Sequence, residues 1–251
     1  MPNKLYVVHG SHPCATAEEA LKLKGIPYET VEMIPPSHAV LQRVRFGERT
    51  VPAMAFADGT KVSGSRALLQ RFEEMVPEPS LYGSDPDAQA KVRRAEEWGD
   101  EVLQPIGRRL LWFAFAKHPR AMAGYQEGAK LPALPQPVLL ALAPIVTRLE
   151  AKLNDVDEGN ARADLKALPA HLDRVDAWID EGVMGGEHPN AADLQITATL
   201  RLLMTIGDVK PLIAPRPAGA LAVRLLAPLP GSVPAGVFPA AWLPDAARSH
   251  G

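Results

Sequence analysis

The chain has 251 residues, 47% of them hydrophobic and 22% charged, which suits one large or two modest globular domains. Its 27 Lys and Arg against 29 Asp and Glu argue against a dedicated nucleic-acid binder. A single cysteine, Cys14, excludes an intramolecular disulfide and a Cys-rich zinc site; with no apolar run of about 18 residues and no signal peptide read in the opening segment, the expectation is a cytoplasmic protein without a membrane partner.

Residues 5–8 form a short apolar run between Lys4 and His9-Gly10, the pattern of a central strand buried on both faces. Pro13 suits the first turn of a helix, whose apolar stripe is Cys14, Ala17 and Leu21 and whose end lies near Gly25. Residues 28–33 alternate as a second strand, which completes a βαβ unit. A loop or helix follows. Residues 53–57 and a strand starting at Lys61-Val62 flank Asp58-Gly59, a hairpin signal. Residues 65–75 predict a helix that buries Leu68, Leu69, Phe72 and Met75. Residues 74–86, with three prolines, Gly83 and Ser84, read as a linker.

Beyond the linker the pattern is helical. Residues 88–116 predict a long amphipathic helix with Val102, Ile106, Leu110 and Phe113 on one side and a kink at Pro105. Residues 137–153 predict a helix bent at Pro144, and residues 165–179 another. Residues 190–206 are nearly apolar all round, hence central and buried. There Asn190 is an N-cap, with Asp193 placed to reach back. A last helix over 218–226 precedes a tail rich in proline and glycine, which Phe238 and Trp242 would partly dock, with the option of capping a cleft. The expected organisation is an α/β domain with a four-stranded mixed sheet (1–78), an all-α helical-bundle domain (86–228) and a Pro-rich tail (229–251).

A small βαβ-ββα unit followed by helices resembles the glutathione S-transferase superfamily over roughly residues 5–226. Four segments carry the resemblance: Ser11-His12-Pro13-Cys14 at the turn into the first helix, Phe46 to Pro52, Asp58-Gly59 with Gly64-Ser65-Arg66, and Asn190-Ala191-Ala192-Asp193. The resemblance implies a thioredoxin-like first domain, glutathione or another small thiol as co-substrate, a small hydrophobic electrophile as second substrate, and a homodimer.

Free thiols have pKa near 8.5, and lowering this by about two units needs about 2.7 kcal/mol. A donor hydroxyl at a helix amino end serves that purpose. Ser11 is the candidate, the alternative being a plain N-cap. Cys14 is either a redox nucleophile or a small inert core residue. The resemblance makes Pro52 a cis proline that presents the Val51 main chain to the tripeptide, a form of strand addition. Ser65 and Arg66 would take the γ-glutamyl carboxylate, although Gly64 stands where the family usually carries Glu or Gln, and Thr50 where it often carries Lys. Arg49 and His38 are candidates for the glycine carboxylate, within a basic stretch that includes Arg43 and Arg45. Trp98, Glu101, Pro105, Arg108 and Trp112 share one face of the long helix and would line the electrophile's pocket or pack the domains together. The histidines, His9 and His171 among them, show no metal spacing, and no metal is expected. Three functions follow: a thiol transferase using Ser11, a thiol reductase using Cys14, and a non-catalytic binding protein on the same scaffold.

Overall fold

The structure, a computed structural model, describes residues 2–35 and 37–244. The first domain runs β1 (Lys4–Val8), α1 (His12–Leu23), β2 (Glu29–Met33), α2 (Ser37–Phe46), β3 (Ala53–Ala55), β4 (Lys61–Ser63) and α3 (Ser65–Met75). The sheet order is β2-β1-β3-β4. β1 is central, as its apolar run predicts: it pairs parallel to β2 from Lys4↔Glu29 to Val8↔Met33 and antiparallel to β3 from Lys4↔Ala55 to Tyr6↔Ala53. Asp58-Gly59 turns β3 into β4, with the Phe56 N–H donating to the Thr60 carbonyl at 2.8 Å. The stripe Cys14, Ala17 and Leu21 is buried, as are Leu68, Leu69 and Phe72 of α3. Met75 departs from the expectation and stays exposed, because α3 ends at that residue.

The second domain holds α4 (Pro86–Trp98), a π-helical turn (Gly99–Leu103), α5 (Gln104–Lys117), a 3₁₀ segment (Pro119–Gln126), α6 (Gln136–Leu153), α7 (Glu158–Asp180), α8 (Ala191–Leu203), a short α9 (Lys210–Ile213) and α10 (Pro217–Leu225). The expected long helix over 88–116 is therefore two helices. They meet at a wide turn just before Pro105, where proline's missing N–H leaves the α-helical ladder incomplete. α7 starts earlier than its apolar pattern suggested, because Asp157 caps it by accepting the Asn160 N–H at 2.7 Å. Among the described residues no helix is long and apolar enough to cross a membrane.

α8 lies at the centre of the molecule. Both bonds of its capping box are present: Asn190 Oδ1 accepts the Asp193 N–H at 3.0 Å, and Asp193 Oδ2 accepts the Asn190 N–H at 2.9 Å. Only Arg201 escapes burial along its length. From the first domain, the Thr16 hydroxyl donates to the Leu194 carbonyl at 3.2 Å, so α1 packs on α8 and one apolar core runs through both domains.

The tail docks through residue 243. Val233 pairs with Ile206, and the Asp208 carboxylate accepts the N–H groups of Gly236, Val237 and Phe238 at 2.7, 2.9 and 3.0 Å. Phe238 stacks on Phe113 with ring centres 5.4 Å apart. None of the described tail residues lines the cleft between the domains, so they brace the fold from behind instead of capping it. Residues 245–251 of the expected tail lie outside the described residues.

Candidate active site

The turn from β1 into α1 sets the site. Gly10 has φ +73°, a region open to glycine, and the Pro230 ring packs behind it. The Ser11 N–H donates to the Val8 carbonyl at 3.1 Å, which closes the turn. Ser11 is the N-cap residue of α1, yet its side chain makes no capping bond; the hydroxyl lies against the Cys14 thiol.

Cys14 is 3% exposed, and burial pushes its thiol up to about 12 against partial relief from Ser11 and the Val8 carbonyl. It remains a protonated thiol at neutral pH, without the thiolate that disulfide chemistry requires. This corrects its candidacy as a catalytic residue: Cys14 is part of the core.

Val51 lines the same cleft as Ser11, and its bond to Pro52 is cis. Among the described residues the main-chain N–H and C=O of Val51 have no hydrogen-bond partner. The Pro52 carbonyl, in contrast, accepts the Gly64 N–H at 2.8 Å, which ties this segment to the start of α3. Pro52 itself is buried behind the wall.

Ser65 and Arg66 are not brought to the cleft. Ser65 is 2% exposed, with its hydroxyl 3.5 Å from the Gln104 amide. Arg66 is taken up by acidic residues across the domain boundary, 2.9 Å from Glu97 and 3.7 Å from Glu101. Glu97 of α4 and Glu101 of the π turn thus occupy the cation that the sequence reading offered to a ligand carboxylate.

The cleft has a volume of about 560 Å³ and lies between the domains. Ser11, His12, Thr50, Val51 and Arg108 form its polar part; Leu111, Trp112, Phe115, Leu139 and Leu142 are prominent in its apolar part. Arg49 and His38 also line it. Arg49 donates to the Leu153 carbonyl at 2.8 Å, so one arm of its guanidinium is occupied by α6. Burial holds the His38 imidazole below its ordinary pKa, which makes it a neutral hydrogen-bonding group and not a charge for a carboxylate.

The expected electrophile face splits. Arg108 and Trp112 line the cleft, whereas Trp98 and Glu101 do not. Trp98 packs on Trp178 and His171, with ring centres 5.2 and 5.5 Å away, and Glu101 faces Arg66. The π turn between them adds a residue to one helical turn and so displaces the register of everything after it by about 100°. Residues that share a face in an unbroken helix are thereby sent to different sides.

Several cleft residues carried no sequence signal. His12 is buried, its ring is bonded to the Gln104 main chain, and its Nε2 has no partner. Burial and the nearby Arg108 guanidinium hold it well below the usual histidine pKa, hence neutral. The far wall comes from α6 and the loop before it, where the prolines after Lys130 signalled only interruption. Period and composition do not say which face of α6 meets a cleft, since that depends on where α5 stands.

Comparison with known proteins bears on the same features. The model of the glutathione S-transferase N-terminal domain matches residues 5–80. Maleylacetoacetate isomerase of Pseudomonas aeruginosa is 30% identical over 109 residues, 40% of this chain, and the chain spans 47% of that enzyme's length. Among solved structures, a glutathione S-transferase from Rhodospirillum rubrum F11 superposes with a TM-score of 0.55 at 20% identity, over 98% of both chains. A maleylacetoacetate isomerase from Anaeromyxobacter dehalogenans 2CP-1, solved with GSH in its active site, gives a TM-score of 0.55 at 19% identity, over 91% of this chain and 93% of that one. The first domain, residues 5–80, therefore matches the glutathione S-transferase N-terminal domain family, and the four-stranded mixed sheet followed by helices is the fold of the glutathione S-transferase structures.

Proposed function

We propose that this protein is a glutathione-dependent transferase that adds the thiol to a small apolar electrophile, with Ser11 as hydrogen-bond donor to the thiolate. The observation that carries the reading is that Ser11, whose hydroxyl lies against the Cys14 thiol, and Val51 line one largely apolar cleft. The Ser11 hydroxyl makes no capping bond, and the Val51 main chain has both of its polar groups free among the described residues.

The energetics close. Bringing a thiol from about 8.5 to about 6.5 takes about 2.7 kcal/mol. A hydrogen bond to a charged sulfur contributes about 1.5–3 kcal/mol, and a helix amino end adds up to about 2 kcal/mol in a partly buried setting. The thiol's cysteinyl backbone would pair with Val51 as an added strand, which aims the sulfur at Ser11. Water is excluded by the apolar walls of α5 and α6, which would hold the electrophile.

Isothermal titration with glutathione tests the binding half: heat that saturates in the millimolar range or below is expected, and no heat at millimolar concentration overturns the glutathione reading. Ser11→Ala tests the chemical half. Conjugation to an aryl halide should fall about 100-fold, the scale of about 2.7 kcal/mol, with glutathione affinity retained. Full activity in that variant would remove Ser11 from the mechanism.

A further inference from the structure

Arg108 stands half-buried on the cleft wall beside His12. Among the described residues its guanidinium makes no hydrogen bond and no ion pair, and none of its nitrogens is both shut from solvent and unpartnered. Its neighbour Arg109 behaves differently, gripping Asp164 through two bonds of 2.7 and 2.8 Å. The charges that face Arg108 are Asp100, Arg49, Arg109 and Glu150. Asp100 Oδ1 already accepts the amides of Gln104 and Gln195 at 3.1 and 3.0 Å. Glu150 accepts Asn154 at 3.0 Å, and its Oε1 is buried without a partner. Arg108 therefore brings to the cleft lining a planar fork of donors that no group among the described residues receives.

The apolar lining of the cleft has the opposite character. Ile34, Leu142 and Ile145 line it and are still 45%, 42% and 63% exposed, so the apolar lining continues onto the rim. Arg49 also lines the cleft but is bonded to the Leu153 carbonyl, so an unpaired Arg108 guanidinium beside an apolar lining that reaches solvent matches a molecule with one acid group and a hydrocarbon body.

We propose that the cleft takes an amphipathic monocarboxylate, its acid group on Arg108 and its hydrocarbon body running past Leu142 and Ile145 to the rim. A single negative charge fits better than a dianion, because Glu150 stands near the same guanidinium. The inference deepens the proposed function, and its catalytic consequence rests on that reading: the electrophile would be such an acid. The binding itself is measurable without any thiol.

The test is calorimetry on the full chain with decanoate and with 1-decanol as its uncharged counterpart. Wild type should bind decanoate about tenfold more tightly than 1-decanol, the scale of one charge-assisted hydrogen bond. Arg108→Met should abolish that preference and leave 1-decanol binding unchanged, which also reports that the cleft is intact. Glu150→Gln should bind decanoate as tightly as wild type or more so. Equal binding of the two ligands by wild type overturns the proposal and needs no variant. So does a preference that survives in Arg108→Met. Titration with glutathione is read separately: failure there with the decanoate preference intact undoes the proposed transferase, and the reverse result undoes only the carboxylate subsite.

Discussion

Glu32 on β2 accepts the main-chain N–H of Lys130 at 2.8 Å. Its other oxygen accepts the Leu131 N–H at 3.2 Å, so one carboxylate of the first domain holds the loop that the second domain lays along the cleft. Glu32→Ala should cost about 1 kcal/mol of stability and speed amide exchange over residues 129–133. Unchanged exchange there would mean that side-chain packing alone keeps the loop in place.

Cys14 should be inert in the native protein. Its thiol is held near 12 against an ordinary 9.0, so iodoacetamide at pH 8 should label it only after unfolding. The sign of the pH effect follows. Above pH 9.0 the unfolded chain releases this proton while the folded chain keeps it, so stability falls as pH rises through that point. Cys14→Ala should lack this share of the alkaline loss, measured as the denaturant midpoint between about pH 8 and pH 10. Rapid native labelling would reopen the thiol-reductase reading.

Glu96 is fully buried, accepts the Tyr82 hydroxyl at 2.9 Å, and has its carboxyl raised by burial from 4.5 to about 7. Between those values the unfolded chain gives up the proton and the folded chain retains it. Stability from this group is therefore complete below pH 4.5 and declines up to about pH 7, by at most about 3 kcal/mol. Glu96→Gln keeps an oxygen for Tyr82 and should flatten that decline in a series of urea titrations. An identical pH profile in the variant would show that Glu96 ionises as freely as in the unfolded chain.

Truncation after residue 228 should destabilise the protein. It removes the backbone groups that Asp208 holds and uncovers Phe113, on which Phe238 stacks. Loss of the buried Phe238 alone is worth about 1.5–3 kcal/mol. The denaturant midpoint should drop accordingly, and an unchanged midpoint would make the docked tail energetically idle.

The split between legible and illegible features follows particular residues. The β1 run, the Cys14-Ala17-Leu21 stripe, the Asp58-Gly59 turn and the Asn190/Asp193 capping box each express a local rule, and each is found where the pattern puts it. That Ser11 and Val51 line the cleft follows short-range features too, a turn into a helix and a segment before a proline. Arg66 was misleading: its sequence neighbours give no hint of Glu97 and Glu101, which meet it across the domain boundary.

The amino-acid order alone marked the strands, most of the helices and the change from an α/β to a helical pattern, since periodicity, caps and turns are settled by residues a few positions apart. The folded molecule decided which side chains share the cleft. A π turn sends Trp98 and Arg108 to different sides, α4 claims Arg66, and α6 brings Glu150 towards Arg108 from far along the chain. Those outcomes depend on helix register and on charges that only packing brings together, and neither is encoded in any one stretch of sequence.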